Sequence, residues 1–563
     1  MLTIKVKNHI LLRIKIKGRK IMNITGNIVD VLNSKIFYGE LRIDGSIITE
    51  IIENGPERPY EKKYIIPGFI DSHIHIESSM LTPSEFARIA LNHGTLATVS
   101  DAHEIANVSG LAGVKFMIEN AARSPLKFYF SAPSCVPFEA GSGFSIAPCD
   151  VDELMKQKTV NHLGEVMNVQ GILNGDSELY EKIALTKKYA KIIDGHAPGL
   201  SGEALKKYAA AGISTDHECT SEAEAREKLG AGIKIQIREG SAAKDFESLY
   251  PIIADNYKNC MFASDDRHPE DLLHGHINLL VKKAVKKGVD PIKALYSASA
   301  SPILHYKLDL GLLRKGDNAD FLIVNDLCDF DISGVYAGGK LVSDGKSSFT
   351  DSERASFEYV FNASEKKPAD FKVPARGTKI RVIEAIDGKL ITKSVIADAK
   401  IVNGFVESDI ENDILKLALI SRYKDIPPVI GFIKNTGLKY GAIASSVNHD
   451  AHNIIVLGTS DEALAKAANL VIKSRGGISA VSNCGDSDVL PLAIGGIISD
   501  MPCEHVAEKY DRIDRLVFDN IKTTLSAPFM TLSFMSLFVI PSLKMSSTGL
   551  FDADNFKPVD LFV

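Results

Sequence analysis

The chain has few cysteines, and none of them are arranged for chemistry. They stand at positions 135, 149, 219, 260, 328, 484 and 503, an odd number with no Cys-x-x-Cys pair. That pattern excludes a disulfide scaffold and a thiolate zinc site, and it reads as buried free thiols in a reducing compartment. An excess of charge of one sign is also lacking: 65 Lys and Arg face 71 Asp and Glu, for a formal net charge of −6. So mild a balance gives no electrostatic reason to expect nucleic acid or a membrane surface as partner. Long hydrophobic runs are missing too. The most apolar stretch, residues 525–540, carries Ser and Thr and is broken at Pro528 and Pro541, too short and too polar to span a bilayer. The basic opening alternates apolar and cationic residues and lacks the apolar core and cleavage site of a secretory signal. Residues 3–17 therefore read as a strand-like extension, with Met22 as an alternative start to Met1, and the expected location is the cytoplasm. Tryptophan is absent, which excludes nothing. No Gly-x-x-x-x-Gly-Lys phosphate loop and no Gly-x-Gly-x-x-Gly after a strand is present.

What is present is a change of rhythm. At 563 residues the chain exceeds a single core, and its 45% hydrophobic and 24% charged content is that of an ordinary globular protein. Residues 23–66 alternate in short strands with turns, the signature of a small antiparallel sheet. Beyond Pro67 a short apolar run, a polar loop and a helical stretch recur. Eight runs qualify as strands: GFIDSHI, ATVSDA, KFYFSA, HLGEVM, KIIDGH, ISTDHE, IKIQIRE and MFASDD. Eight strand-then-helix units over roughly 235 residues are the size of a (β/α)8 barrel. The expected fold is therefore α/β. Residues 67–301 form a TIM-like barrel, 1–66 and 302–350 form the two parts of a small flanking β-sandwich, and 371–563 form a C-terminal α/β domain. The polar stretch 350–370 reads as a linker or an exposed helix.

In such a barrel, functional groups stand at the carboxyl ends of strands. The first strand ends in His73 and His75, two residues apart and so on one face. The fourth carries Glu165, the fifth His196, the sixth His217 and the eighth Asp265. Imidazoles and carboxylates recurring at corresponding positions are the ligand set of a hydrolytic metal site. Two divalent cations held by neutral imidazoles repel each other unless an anion lies between them, a place for Glu165. Asp265, beside a water acidified by metal, can take its proton and pass it to a leaving nitrogen.

These residues resemble the amidohydrolase superfamily of metal-dependent hydrolases. PGFIDSHIHIESSM, DGHAPG, STDHE, IREGSAAKD, SDDRHPEDLL, GLLRKGDNADFLIV and SSVNHDAHNIIVLG resemble, more closely, the bacterial and archaeal adenine deaminases. Many superfamily members carry a carboxylated lysine where Glu165 stands. The resemblance covers about residues 23–560. It implies hydrolysis of adenine to hypoxanthine and ammonia in purine salvage, with water attacking ring carbon 6. It implies a binuclear divalent metal, Mn²⁺ first and Fe²⁺ or Zn²⁺ after it, and a homo-oligomer of two or more chains. By it the metal ligands are His73, His75, Glu165, His196, His217 and Asp265, with Asp265 and His217 catalytic. The other zinc deaminase class is excluded, because APCDVDEL has one cysteine where Pro-Cys-x-x-Cys needs two.

Arg238 and Glu239 end the seventh strand, where they would either read the rim of adenine or brace the loop as an internal ion pair. Ser241 is a further contact candidate, Glu77 a partner for a ligand imidazole or a loop salt bridge. His103-Glu104 fails the zinc-protease pattern because position 107 is Asn, yet it stands near the pocket at the end of the second strand. His268, His274 and His276 read as packing or surface residues, the last two on one helix. His449 and His452 would cap the site or, preferably, serve structure. Two other readings are a hydantoinase-like or dihydropyrimidinase-like hydrolase and a catalytically silent barrel used for assembly.

Overall fold

A computed structural model describes residues 21–139, 143–346, 349 and 354–563. The extension expected at 3–17 lies outside them. The eight barrel strands are β1 (Phe69–Ile74), β2 (Thr95–Ser100), β3 (Lys127–Ala132), β4 (Val160–Val166), β5 (Ile192–Gly195), β6 (Thr215–Asp216), β7 (Lys234–Arg238) and β8 (Cys260–Ala263). β1 to β5 form one parallel sheet and β6 to β8 another. Backbone bonds close both seams. Ser214 N donates to Ile193 O at 3.0 Å, and Asp265 N donates to His73 O at 2.9 Å. Every residue of β1 and β2 is buried, as strands packed inside and out must be. The helices show one apolar stripe. In Ile277–Lys286 the buried residues are Ile277, Leu280, Val281 and Ala284, the spacing of one helical face.

His274 and His276 do not share a helix. The chain breaks at Gly275, between helices Pro269–His274 and Ile277–Lys286, and His276 turns inward, 2.8 Å from Asp71 and 2.7 Å from Thr95. The thiols also depart from expectation: all seven are free, but Cys149, Cys328 and Cys484 are exposed and Cys135 is half-buried. The stretch 354–367 forms no helix.

The flanking unit is one seven-stranded sheet built from both sides of the barrel sequence. Its order is Lys340–Ser343, Ile332–Ala337, Phe321–Val324, Tyr64–Pro67, Ile21–Asp30, Lys35–Asp44 and Ile47–Pro56. It curls until Ile47 bridges to Asn318, enclosing Ile28, Leu41, Ile65 and Phe321. The C-terminal unit holds an eight-stranded mixed sheet with helix Asp461–Lys473 against it. Ser460 caps that helix by accepting from Ala463 N. The unit docks on the barrel mouth: Cys503 N donates to Glu85 at 2.7 Å, and Tyr423 Oη to Asn107 O at 3.3 Å. No described helix is long and apolar enough to cross a membrane.

Lys544 is fully buried, and its Nζ donates to the carbonyls of Leu390 and Phe534. Among the described residues it meets no carboxylate, and burial pushes its pKa down to about 7. Between that value and the ordinary 10.5, the unfolded chain binds the extra proton, so this lysine's contribution to stability rises with pH across the window. Lys544→Met is expected to flatten that part of the Tm profile between pH 7 and 10, measured by thermal melts.

Candidate metal centre

The six proposed ligands meet at the carboxyl ends of the strands. His73 lies in β1 and His75 continues it in extended backbone, so both rings point to one spot, Nε2 to Nε2 at 3.3 Å. Asp265 Oδ1 lies 3.4 Å from His73 Nε2 and 3.2 Å from His75 Nε2. On the other side, Glu165 Oε2 lies 2.8 Å from His196 Nδ1 and 3.2 Å from His217 Nε2. Its Oε1 lies 3.2 Å from His75 Nε2. One carboxylate thus faces two groups of nitrogens, the posture of a bridge.

The donor set fits divalent metal ions. Hydrogen bonds cannot satisfy all three mutual contacts at once among three atoms converging at 3.2 to 3.4 Å. That is the spacing of donors sharing one cation at bond lengths of about 2.1 Å. All six side chains are buried, and burying two carboxylates together is costly without cationic partners. Burial alone would raise the pKa of Glu165, but His217 and His196 outweigh it and hold the carboxyl well below its usual range. Reciprocally, burial would lower His217, yet Glu165 raises it to about 9.

Around this set stand residues the sequence reading missed. Asp101, just past β2, accepts Glu165 N at 2.8 Å and Ser131 Oγ at 2.6 Å, and so fixes the bridging residue. Gly164 leaves it room, because a Cβ there would lie 2.3 Å from Asp101 Oδ2. Glu218 follows His217 and lies 3.6 Å from His196 Nδ1. Asp266 accepts Ser78 Oγ at 2.5 Å. Asp450 stands 3.5 Å from His103. An acidic neighbour one residue beyond a ligand carries no periodic signal, which is why Glu218 and Asp266 escaped notice.

The remaining candidates divide. His103 is at the centre, its Nδ1 3.6 Å from Glu165. Arg238 is there too, but it pairs with Glu218, Asp245 and Asp265, not with its neighbour Glu239. Glu239 turns away to Lys283 at 2.8 Å, and Ser241 donates to Asp271 at 2.5 Å. Neither lines the metal cavity. Glu77 accepts Ile105 N at 3.1 Å rather than an imidazole, and burial pushes its pKa to about 7. The C-terminal unit covers the centre with Leu390, Phe534, Leu537 and Ile540, and adds His449 and Asp450 to its lining. The space left is about 20 Å³, room for one water. A wider cavity of about 520 Å³ adjoins it and shares Met167 and His196.

Residues 64–342 match the amidohydrolase family, and residues 389–557 match the adenine deaminase C-terminal domain. An adenine deaminase of Sulfurovum sp. is 47% identical over 96% of this chain and 99% of its own length. The chain belongs to the adenine deaminase family. Another member, from Borreliella burgdorferi, is 46% identical over 96% of this chain and 100% of its own. Among solved structures, a β-aspartyl dipeptidase of Fervidobacterium islandicum is similar at a TM-score of 0.45, with 15% identity over 59% of this chain and 100% of that one. In this family member the six candidate donors come from five barrel strands or their ends, while the cover comes from the C-terminal domain.

Proposed function

We propose that the chain hydrolyses adenine to hypoxanthine and ammonia at the barrel centre, with His73, His75, Glu165, His196, His217 and Asp265 holding a pair of manganese ions. The observation that carries this reading is the two-sided contact of Glu165, one oxygen toward His75 and the other toward His196 and His217. When bound, such a metal pair supplies the Lewis acidity that readies water for attack near neutral pH. The chain's own part is proton traffic and placement. Asp265 is ionised: burial would raise its pKa, but His73, His75, His217 and Arg238 hold it well below the usual range. It can therefore accept a proton from the attacking water and return it to the departing amine nitrogen. Arg238, on Asp265 Oδ2 at 2.9 Å, fixes the carboxylate for that transfer. His217 helps to polarise the ring, and Phe534 and Met167 offer apolar faces to a flat base. Admitting a purine requires the cover of Leu390, Phe534, Leu537 and Ile540 to give way. Under the same reading the enzyme is a cytoplasmic homo-oligomer serving purine salvage.

The test is incubation of manganese-loaded protein with adenine, followed by chromatography for hypoxanthine and an ammonia assay. Both products are expected in equal amounts, with hydantoin and dihydrouracil left intact. Fully loaded protein that leaves adenine unchanged would overturn the assignment. His73→Ala is expected to lower metal content itself, read by elemental analysis.

A further inference from the structure

A second cluster of donors lies beside the barrel centre, at the seam between the two domains. His103 and Glu104 open the helix His103–Ala121 after β2. His449, Asp450 and His452 come from the loop after strand Ala442–Ser445 of the C-terminal sheet. All five are buried, none more than 3% exposed. One donor atom each from His103, Glu104 and Asp450 lies within 4.8 Å of the other two. His103 Nε2 is 3.5 Å from Asp450 Oδ1 and 3.8 Å from Glu104 Oε1. Those separations are long for hydrogen bonds, and they suit neighbouring donors on one cation with bonds of about 2.1 Å.

Glu104 is also gripped from the far domain, His449 Nδ1 on Oε1 and His452 Nε2 on Oε2. Asp450 Oδ2 is buried with no hydrogen-bond partner. Among the described residues no Lys or Arg pairs with Glu104 or Asp450, so two buried carboxylates face only imidazoles. Two buried carboxylates with donor atoms within 4.8 Å of each other repel, and a shared cation offsets that cost. His103 stands between the two clusters, Nδ1 toward Glu165 at 3.6 Å and Nε2 toward Asp450.

We propose that His103, Glu104 and Asp450, with His449 beside them, bind a third divalent transition-metal cation that fastens the C-terminal domain over the barrel mouth. A mixed imidazole and carboxylate set suits Mn²⁺, Fe²⁺ or Zn²⁺. His452 acts through Glu104 as a positioning residue, holding the oxygen turned away from the cation. Where the local His-Glu-x-x-His pattern lacks its second histidine, at Asn107, the C-terminal domain brings His449 to Glu104 instead.

The full-length protein loaded with Mn²⁺ tests this by anomalous diffraction at the manganese edge. A third peak bounded by His103, Glu104 and Asp450 is expected beside the barrel peaks. Filled barrel sites with no density at the seam would overturn the proposal. Empty barrel sites would instead count against the metal pair assigned there. Elemental analysis is expected to find three equivalents in the parent and two in Asp450→Ala. Two equivalents in the parent, or three retained by a folded Asp450→Ala, would also overturn it. Should that variant fail to fold, the diffraction result on the parent decides.

Discussion

Replacing Asp265 with asparagine is expected to lower kcat by about 10²- to 10⁴-fold, the range a positioned proton carrier contributes, while metal content stays nearly intact. The side chain keeps its shape and an oxygen for the His73 and His75 side of the site, but an amide cannot take up a proton at neutral pH. Asp265 is held in the left-handed region at φ 59°, a conformation that asparagine tolerates as aspartate does. Its backbone bonds to β1, which close the barrel at His73 and His75, are untouched by the change. Steady-state kinetics beside elemental analysis separates the outcomes. A near-normal kcat removes Asp265 from proton transfer, and a loss of metal parallel to the loss of rate makes it a ligand before anything else.

Arg238→Met is expected to be the most destabilising single change in the barrel mouth. Its guanidinium is 2% exposed and serves Glu218, Asp245 at 3.0 Å and Asp265 at 2.9 Å. Removing one partner from a buried ionic set costs about 3–5 kcal/mol, because the remaining charges stay buried without compensation. Urea unfolding at neutral pH is expected to show a loss of that size. The sign with pH follows from the same arrangement. Arg238 lowers the pKa of all three carboxyls, so in the variant they take up protons more readily. Protonation removes the uncompensated charge, and the deficit relative to the parent is expected to shrink as pH falls. A deficit that is small or independent of pH would mean that water or a shift of the loop has replaced the arginine.

Arg238 also marks where the sequence stopped being legible. Its place at the end of a barrel strand is legible in IKIQIRE, and β7 ends at Arg238. Which acid it meets is not legible there: an ion pair with the adjacent Glu239 stands open beside contact with the base. The strand's pleat decides otherwise: successive side chains leave opposite faces, so Glu239 goes outward to Lys283 and Arg238 inward to three acids. The same rule worked in favour of His73 and His75, which share a face because they are two apart. Glu218 and Asp266 were hidden by their neighbours His217 and Asp265, which absorbed the signal at each strand end.

The eight strands, their order and the residues at their carboxyl ends follow from the chain's own periodicity. A strand's facing pattern and a helix's apolar stripe are set by backbone geometry over a few residues, and no distant partner is needed to specify them. The cluster of His103 and Glu104 with His449, Asp450 and His452 is of the other kind. Nothing near position 104 encodes a partner some 345 residues later, and the two meet because the C-terminal sheet docks on the barrel mouth. Contacts of that range depend on which surfaces bury each other, and that was decided by the packed structure alone.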